Sequence, residues 1–586
     1  MSTTFPAKTI NQNTQLAKLN KNSLSQNSTT TVSHAIVNML EQMGVQYAFG
    51  VSGGAIAPLW DALAHSSIQV LHFRHEAGAA FAAAEAYFAS NKPVVVFTTT
   101  GPGITNALTG LMAARWEGAK VIFLSGATSA PQRGRWACQE TSTYTMPHEG
   151  IFTSGTLFNY ATTFESPDQL PVIARRLASG LEQPGGFVAH VSISRAIQAS
   201  KINSLLPLVP FSRSLVTTTQ QTVAECGRLL SEGHFAIWVG FGARSAAEAI
   251  RQLAETTGAG VICSPRGKGI FPEDHSQFVG VTGFAGHESV LKYMQEQCPL
   301  RTLVLGTRLG ELTSLWNPNM IPKKGFVHVD LNSDIPGTAY PNSETVGIQS
   351  DINLFVKELL NYFSKNKNVF TRLKIPRPQR FVINPNAQTP VRPQVLMNMI
   401  QRIIVEGSNA IIMAEGGNSL AWATHLLRFT QANRYRITTR FASMGHFVTG
   451  VVGAAIAHQG KAIAIVGDGA MLMNNEISTA VKYAIPVVWI VLNDGRYNMC
   501  EQGMGFENYN NVNVTIPKTD FVKIALGMGA KGIRVENESQ IKLALEQAMA
   551  SSVPFVVDVV IDSSVVAPIG KRIQSLMAQK SNHYLL

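Results

Sequence analysis

Short apolar runs recur along the chain, and helix-length segments separate them. "KPVVVFTTT", "AKVIFLSG", "FAIWVGFG", "RTLVLGTR", "GFVHVDLN" and "IPVVWIVLND" are examples. Runs that are apolar on both faces fit strands of parallel sheets covered by helices. The pattern predicts an α/β protein built of three doubly wound parallel-sheet domains. Prolines divide it. Pro207 and Pro210 sit at a polar-to-apolar transition, and Pro376, Pro378, Pro385, Pro390 and Pro393 fall in a basic, Asn-rich stretch that reads as an extended linker. The expected organisation is a tail (1–30), a first domain (31–205), a central domain (211–365), a linker (366–391), a third domain (392–570) and a C-terminal segment (571–586).

The first and third domains echo one another. "VVVFTTTGPG" passes through Gly101-Pro102-Gly103, and "AIAIVGDG" through Gly467-Asp468-Gly469. In both, an apolar strand starts 18 residues after the last glycine, at Val121 and at Val487. One offset of 366 aligns both features, which suggests two related domains of one architecture.

Composition narrows the class. Of 586 residues 45% are hydrophobic and 15% charged, as in a globular protein with a large core, and no uninterrupted apolar run has the length of a membrane span. The tail is rich in Ser, Thr, Asn and Gln and lacks the apolar centre of a secretory signal. A formal charge of +11 raises nucleic acid as a partner, but the basic residues are scattered, so anionic small molecules are the expected ligands and neither nucleic acid nor membrane is expected. Five widely spaced cysteines without a C-x-x-C argue against a disulfide framework or structural zinc and fit a cytoplasmic setting.

Chemistry concentrates in "VGDGAMLMNNEISTAVKYAIPVVWIVLND", residues 466–494. Asp468 ends one apolar run between two glycines, and Asn493-Asp494 ends the next. In open parallel sheets ligands bind beyond the carboxyl ends of strands, glycines admit close backbone approach, and a helix amino terminus favours anions. A carboxylate at such an anion site needs a cation between, and magnesium held by one or two carboxylates plus phosphate oxygens meets that need. The two acids are therefore expected to hold a metal that holds a phosphorylated cofactor.

Gly-Asp-Gly followed some 25 residues later by this acid pair resembles the cofactor motif of thiamine-diphosphate-dependent enzymes of the acetolactate synthase and pyruvate oxidase group, over residues 31 to about 570. That resemblance implies pyrimidine-binding, central and diphosphate-binding domains, in that order. It implies magnesium ligands from the side chains of Asp468 and Asp494 and the backbone carbonyl of Arg496, with Gly467, Gly469, Tyr497, Asn498 and Met499 around the cofactor. Asp at position 494, where the family usually has Asn, and the run "NDGRYNM" are similar to flavin-free acetolactate synthases, so FAD is not expected. "RHEAGAAFAAAEAYF" matches the segment whose glutamate activates the cofactor, which makes Glu76 the implied catalytic acid. In "ASMGHFVTG" Met444 would wedge the cofactor and the backbone of Ala442 would meet its amino group, while "RWACQET" puts Gln139 near the substrate. The turn Gly50-Val51-Ser52-Gly53-Gly54 would bring Ser52 and Gly53 beside the cofactor. The same turn matches the G-x-S-x-G elbow of serine hydrolases, a rival reading that leaves Glu76, Asp468 and Asp494 unused.

The implied activity is carboligation: one 2-oxo acid is decarboxylated and joined to a second. A homodimer or homotetramer is implied, with the site shared between subunits. The chain is also similar to the acyloin synthases that join aromatic 2-oxo acids in scytonemin formation. A thiamine-dependent decarboxylase is the alternative, but decarboxylases of the superfamily carry a His-His pair and this chain has none. The C-terminal "APIGKRIQSLMAQKSNHYLL" is expected to close the site, with Lys571 and Arg572 attracting carboxylates.

Overall fold

The computed structural model describes residues 30–202, 215–380, 383–509 and 512–582. The expected tail up to residue 29 and the boundary at Pro207 and Pro210 lie outside them. Among the described residues there are three six-stranded sheets, every pairing within them parallel. A two-residue antiparallel ribbon, Thr30–Thr31 with Lys201–Ile202, ties the ends of the first domain.

The first sheet contains β1 (Tyr47–Gly50), β2 (Gln69–His72), β3 (Val94–Thr98), β4 (Lys120–Ala127), β5 (Tyr160–Phe164) and β6 (Phe187–Ser194), in the order β2-β1-β3-β4-β6-β5. The central sheet contains β7 (Phe235–Val239), β8 (Gly260–Cys263), β9 (Phe278–Val281), β10 (Arg301–Leu305), β11 (Phe326–Asp330) and β12 (Thr345–Gln349), in the order β9-β8-β7-β10-β11-β12. The third contains β13 (Ile411–Ala414), β14 (Tyr435–Arg436), β15 (Ala462–Gly467), β16 (Val487–Asn493), β17 (Lys531–Val535) and β18 (Phe555–Val560), in the order β14-β13-β15-β16-β18-β17. First and third sheets thus share one strand order, and the repeated Gly-x-Gly follows the third strand of each. The central order is the one of dinucleotide-binding folds. All residues of β3, β4 and β16 are buried, which is why they read as unbroken apolar runs.

The first and third domains meet through equivalent helices. Helix α1 (Glu76–Ser90) follows β2, α2 (Pro102–Glu117) follows β3, and α3 (His446–His458) follows β14. Ala82 of α1 and Gly450 and Gly453 of α3 let the two helices approach closely. A Cβ on Gly453 would stand 2.0 Å from the carbonyl oxygen of Ala82, so only glycine allows this approach. Inside the contact the carboxylate of Glu85 accepts two hydrogen bonds from Arg436, both 2.8 Å, and one of 2.9 Å from His446.

The sequence pattern predicts one helix between β15 and β16. The chain instead forms two short ones, Asp468–Met471 and Ile477–Lys482. Asn474 breaks the run: its Oδ1 accepts from the backbone N–H of Glu476, and the Glu476 carboxylate turns to the N–H groups of Arg74 and His75 at the entrance to α1. Among the described residues no helix is long and apolar enough to cross a membrane.

Candidate active site

The expected residues gather at the carboxyl ends of the first and third sheets. In the third, Asp468 is 4% exposed; its Oδ1 accepts from the N–H of Gly469 (2.8 Å) and its Oδ2 from the N–H of Gly495 (2.7 Å). Asp494, just past β16, accepts from Asn498 Nδ2 at 2.6 Å, and the same amide donates to the carbonyl of Ser563. Burial raises both carboxyl pKa values, and repulsion from Asp468 helps push Asp494 up to about 6. Two desolvated acids that repel each other could hold a cation between them. Asn493 takes no part, because its amide donates to Thr519 and Asp558.

A Cβ on Gly469 would lie 2.6 Å from the ring of Tyr497, whereas one on Gly467 would meet nothing within 4 Å, leaving open space beside Asp468. Arg496 bridges to Thr515 through its backbone and pairs its guanidinium with Glu501 at 2.9 Å. Tyr497 is half-exposed, and Met499 packs on the third domain's core from helix α4 (Asn498–Phe506). In the loop entering α3, Ala442 is left-handed (φ 50°) and Met444 is 39% exposed. A Cβ on the adjoining Gly445 would touch Met473, so this loop abuts the segment after Asp468.

Sequence reasoning missed the turn after β13. Gly416 and Gly417 have open space where a Cβ would be, Asn418 opens a helix (Asn418–Leu426), and its buried Oδ1 has no hydrogen-bond partner. β13 lies beside β15, so this turn neighbours Asp468. Two glycines between an apolar run and a helix were the available signal. The preceding Glu415 is fully buried and accepts the N–H groups of Phe447 and Val448 at the start of α3.

The first sheet holds the other group. Glu76 is the first residue of α1, 8% exposed, and accepts from Asn106 Nδ2 at 3.1 Å. Ser52 and Gly53 follow β1, and a Cβ on Gly53 would strike Thr99 at 2.7 Å. Gln139, left-handed at φ 55°, accepts from Thr100 Oγ1 and lines a cavity of about 500 Å³ with Gly101, Thr105, Trp136 and Met146. Among the described residues no hydrogen bond joins Ser52 to a histidine, as a hydrolase would require. Glu76 and Gln139 belong to the first sheet's domain, Asp468 and Asp494 to the third's.

Helix α5 (Gly570–Asn582) packs on α4 and on the central domain of its own chain, with Lys571 paired to Glu288 (2.7 Å) and Arg572 to Glu311 (3.2 Å). Beside Arg572 opens a cleft of about 1350 Å³ at the carboxyl ends of β7, β10 and β11, lined by Arg115, Arg266, Arg308, Arg440 and Asp330. Burial pulls Arg266 down to about 9 and Arg440 to about 10; Arg266 has Glu117 at 2.8 Å, without hydrogen-bond alignment.

Comparison with known proteins agrees with this geometry. Residues 30–146 match the family described as thiamine pyrophosphate enzyme, N-terminal TPP binding domain; residues 226–359 match its central domain, and residues 415–559 its C-terminal TPP binding domain. The chain is 27% identical to the probable acetolactate synthase large subunit of Methanocaldococcus jannaschii, over 91% of this chain and 92% of that protein. It is 25% identical to the putative thiamine pyrophosphate-containing protein YdaP of Bacillus subtilis, over 95% and 96%. It is also 25% identical to the acetolactate synthase isozyme 1 large subunit of Escherichia coli, over 90% and 93%.

Proposed function

As the chain belongs to the thiamine pyrophosphate enzymes, we propose that it is a carboligase of the acetolactate synthase kind, which decarboxylates one 2-oxo acid and joins the remainder to a second. The observation that carries this reading is the pair of buried, mutually repelling carboxylates, Asp468 and Asp494, on adjacent strand ends. They suit magnesium, with the carbonyl of Arg496 as a third ligand, and the Gly416-Gly417 turn with the unpartnered Oδ1 of Asn418 suits the cofactor beside it.

When bound, the cofactor supplies the nucleophilic carbon and the electron sink for decarboxylation. The protein positions and protonates. Gly467 and Gly469 would admit the diphosphate, and Tyr497, Asn498 and Met499 wall the loop that carries Asp494. Exposed Met444 would wedge the cofactor, and the Ala442 backbone would receive its amino group. Glu76 would hold a proton for the aminopyrimidine ring nitrogen, beside Ser52 and Gly53. Gln139 faces the substrate. A homodimer would bring Glu76 of one copy to the acid pair of the other, as the equivalent strand order of the first and third sheets allows. Carboligation is redox-neutral, so the reading requires no FAD; the arginine-lined central cleft is where a dinucleotide would lie. Trp136 (85% exposed) and Tyr144 (78% exposed), on the loop of Gln139, favour an aromatic 2-oxo acid as one substrate, as in acyloin formation for scytonemin. The five free cysteines suit a reducing cytoplasm.

The test is incubation of the protein, thiamine diphosphate and magnesium with pyruvate, phenylpyruvate and indolepyruvate, singly and in pairs, with products identified by mass spectrometry. A coupled hydroxy-oxo product is expected. Free aldehyde and carbon dioxide alone would replace the carboligase with a decarboxylase.

A further inference from the structure

We propose that Asn106 is the positioning residue for Glu76: it holds one carboxylate oxygen so that the other is presented to the cofactor. This rests on the role given to Glu76 above. The placement is built by helix packing. On α2, a Cβ at Gly110 would lie 2.5 Å from Ala80 Cβ and 2.7 Å from the carbonyl oxygen of Ala77, so glycine there lets α1 and α2 touch backbone to backbone. Asn106 stands one turn before Gly110, on the same face, and Glu76 one turn before Ala80. The close crossing therefore sets the Asn106 amide against the Glu76 carboxylate, with Nδ2 donating to Oε2 at 3.1 Å.

The pair is one-sided. Among the described residues Oε1 of Glu76 accepts no hydrogen bond, although the residue is only 8% exposed. A carboxylate with one oxygen held by a neutral amide cannot rotate freely, and its second oxygen stays available to a ring nitrogen. An asparagine suits this place because it donates without bringing a charge that would compete for the proton. The other charged or titratable groups at this end of α1 are Arg74 and His75, which precede it, and Glu476, whose carboxylate accepts their N–H groups and lies where a Cβ on Gly78 would strike it at 2.8 Å. Among the described residues none of these groups hydrogen-bonds to or pairs with the Glu76 carboxylate, so Asn106 is the group set to orient it.

Asn106 sits on the protomer surface, so its truncation opens no core cavity. The experiment compares the wild-type holoenzyme with Asn106→Ala, Asn106→Asp and Glu76→Gln. Three quantities are read: cofactor affinity by fluorescence titration, proton–deuterium exchange at the thiazolium C2 by acid quench and NMR, and near-ultraviolet circular dichroism of the bound aminopyrimidine tautomers. Asn106→Ala should bind cofactor within about twofold of wild type, because the amide is remote from the phosphates. Its exchange should slow roughly tenfold, as befits a lost hydrogen bond to a charged group. Losing the donor frees the carboxylate to turn, so the dichroic signature of the imino tautomer should weaken in Asn106→Ala. Asn106→Asp, which keeps the size but cannot donate, should weaken it as well. Unchanged exchange and unchanged dichroism in both variants overturn the proposal, as does loss of cofactor binding in both, which would make Asn106 an assembly residue. Normal exchange in Glu76→Gln sinks the role of Glu76 itself; impaired exchange there beside normal Asn106 variants sinks only the role of Asn106.

Discussion

Replacing Glu85 by Gln tests the joint between the first and third domains. Glu85 is completely buried, and Arg436 beside it is 4% exposed. Burial pushes the Glu85 carboxyl up, but Arg436 and His446 outweigh it and hold the pKa at about 2, against an ordinary value of 4.5. That difference corresponds to about 3 kcal/mol of stability. The sign follows from the direction: a depressed folded-state pKa contributes fully above pH 4.5 and is lost as the pH falls towards 2. Gln keeps the shape, removes the charge, and leaves the Arg436 guanidinium buried between Phe88 and Phe241 without its counter-ion. Breaking one partner of a buried pair costs ~3–5 kcal/mol, in line with the linkage figure. Urea titration followed by fluorescence, repeated from pH 7 down to pH 3, is the assay. Glu85→Gln should lose most of this stability at pH 7 and show a flatter acid dependence than wild type. A loss below about 1 kcal/mol, the level of an exposed pair, together with an unchanged acid profile, would refute the reasoning.

Other outcomes follow from the same geometry. Gly453→Val should abolish soluble, folded protein, because its Cβ would stand 2.0 Å from the Ala82 carbonyl oxygen; expression and circular dichroism decide. Asp468→Asn should lose magnesium-dependent cofactor binding, whereas Asp494→Asn, which relieves the repulsion and keeps an oxygen ligand, should bind within about tenfold of wild type in a fluorescence titration. Protein shown to be flavin-free by its visible spectrum should turn over without added FAD; a flavin requirement would assign the arginine-lined cleft to a working cofactor.

The fold was legible in the sequence because its strands are apolar on both faces, and the repeat was legible because Gly101-Pro102-Gly103 and Gly467-Asp468-Gly469 follow equivalent strands. Asp468 and Asp494 could be read because glycines and strand ends mark them locally. Glu85, Arg436 and His446 could not, since they join only when helices some 350 residues apart pack together. Asn106 was hidden in the same way, one turn from a glycine whose purpose shows only in the α1–α2 contact. The turn Gly416-Gly417-Asn418 has only its two glycines to mark it in the sequence. The partners of Lys571 and Arg572 could not be read, because Glu288 and Glu311 lie far off in the central domain.

The central claim is that Glu76 of one copy serves the acid pair of another. Mixing two inactive variants measures it directly. Glu76→Gln and Asp468→Asn, co-expressed with different tags and purified as the mixed dimer, should recover about half of the wild-type activity, because one of two symmetric sites is then intact. If each protomer carried its own complete site, every site in the mixed dimer would hold one lesion, and activity would stay at the level of the separate variants.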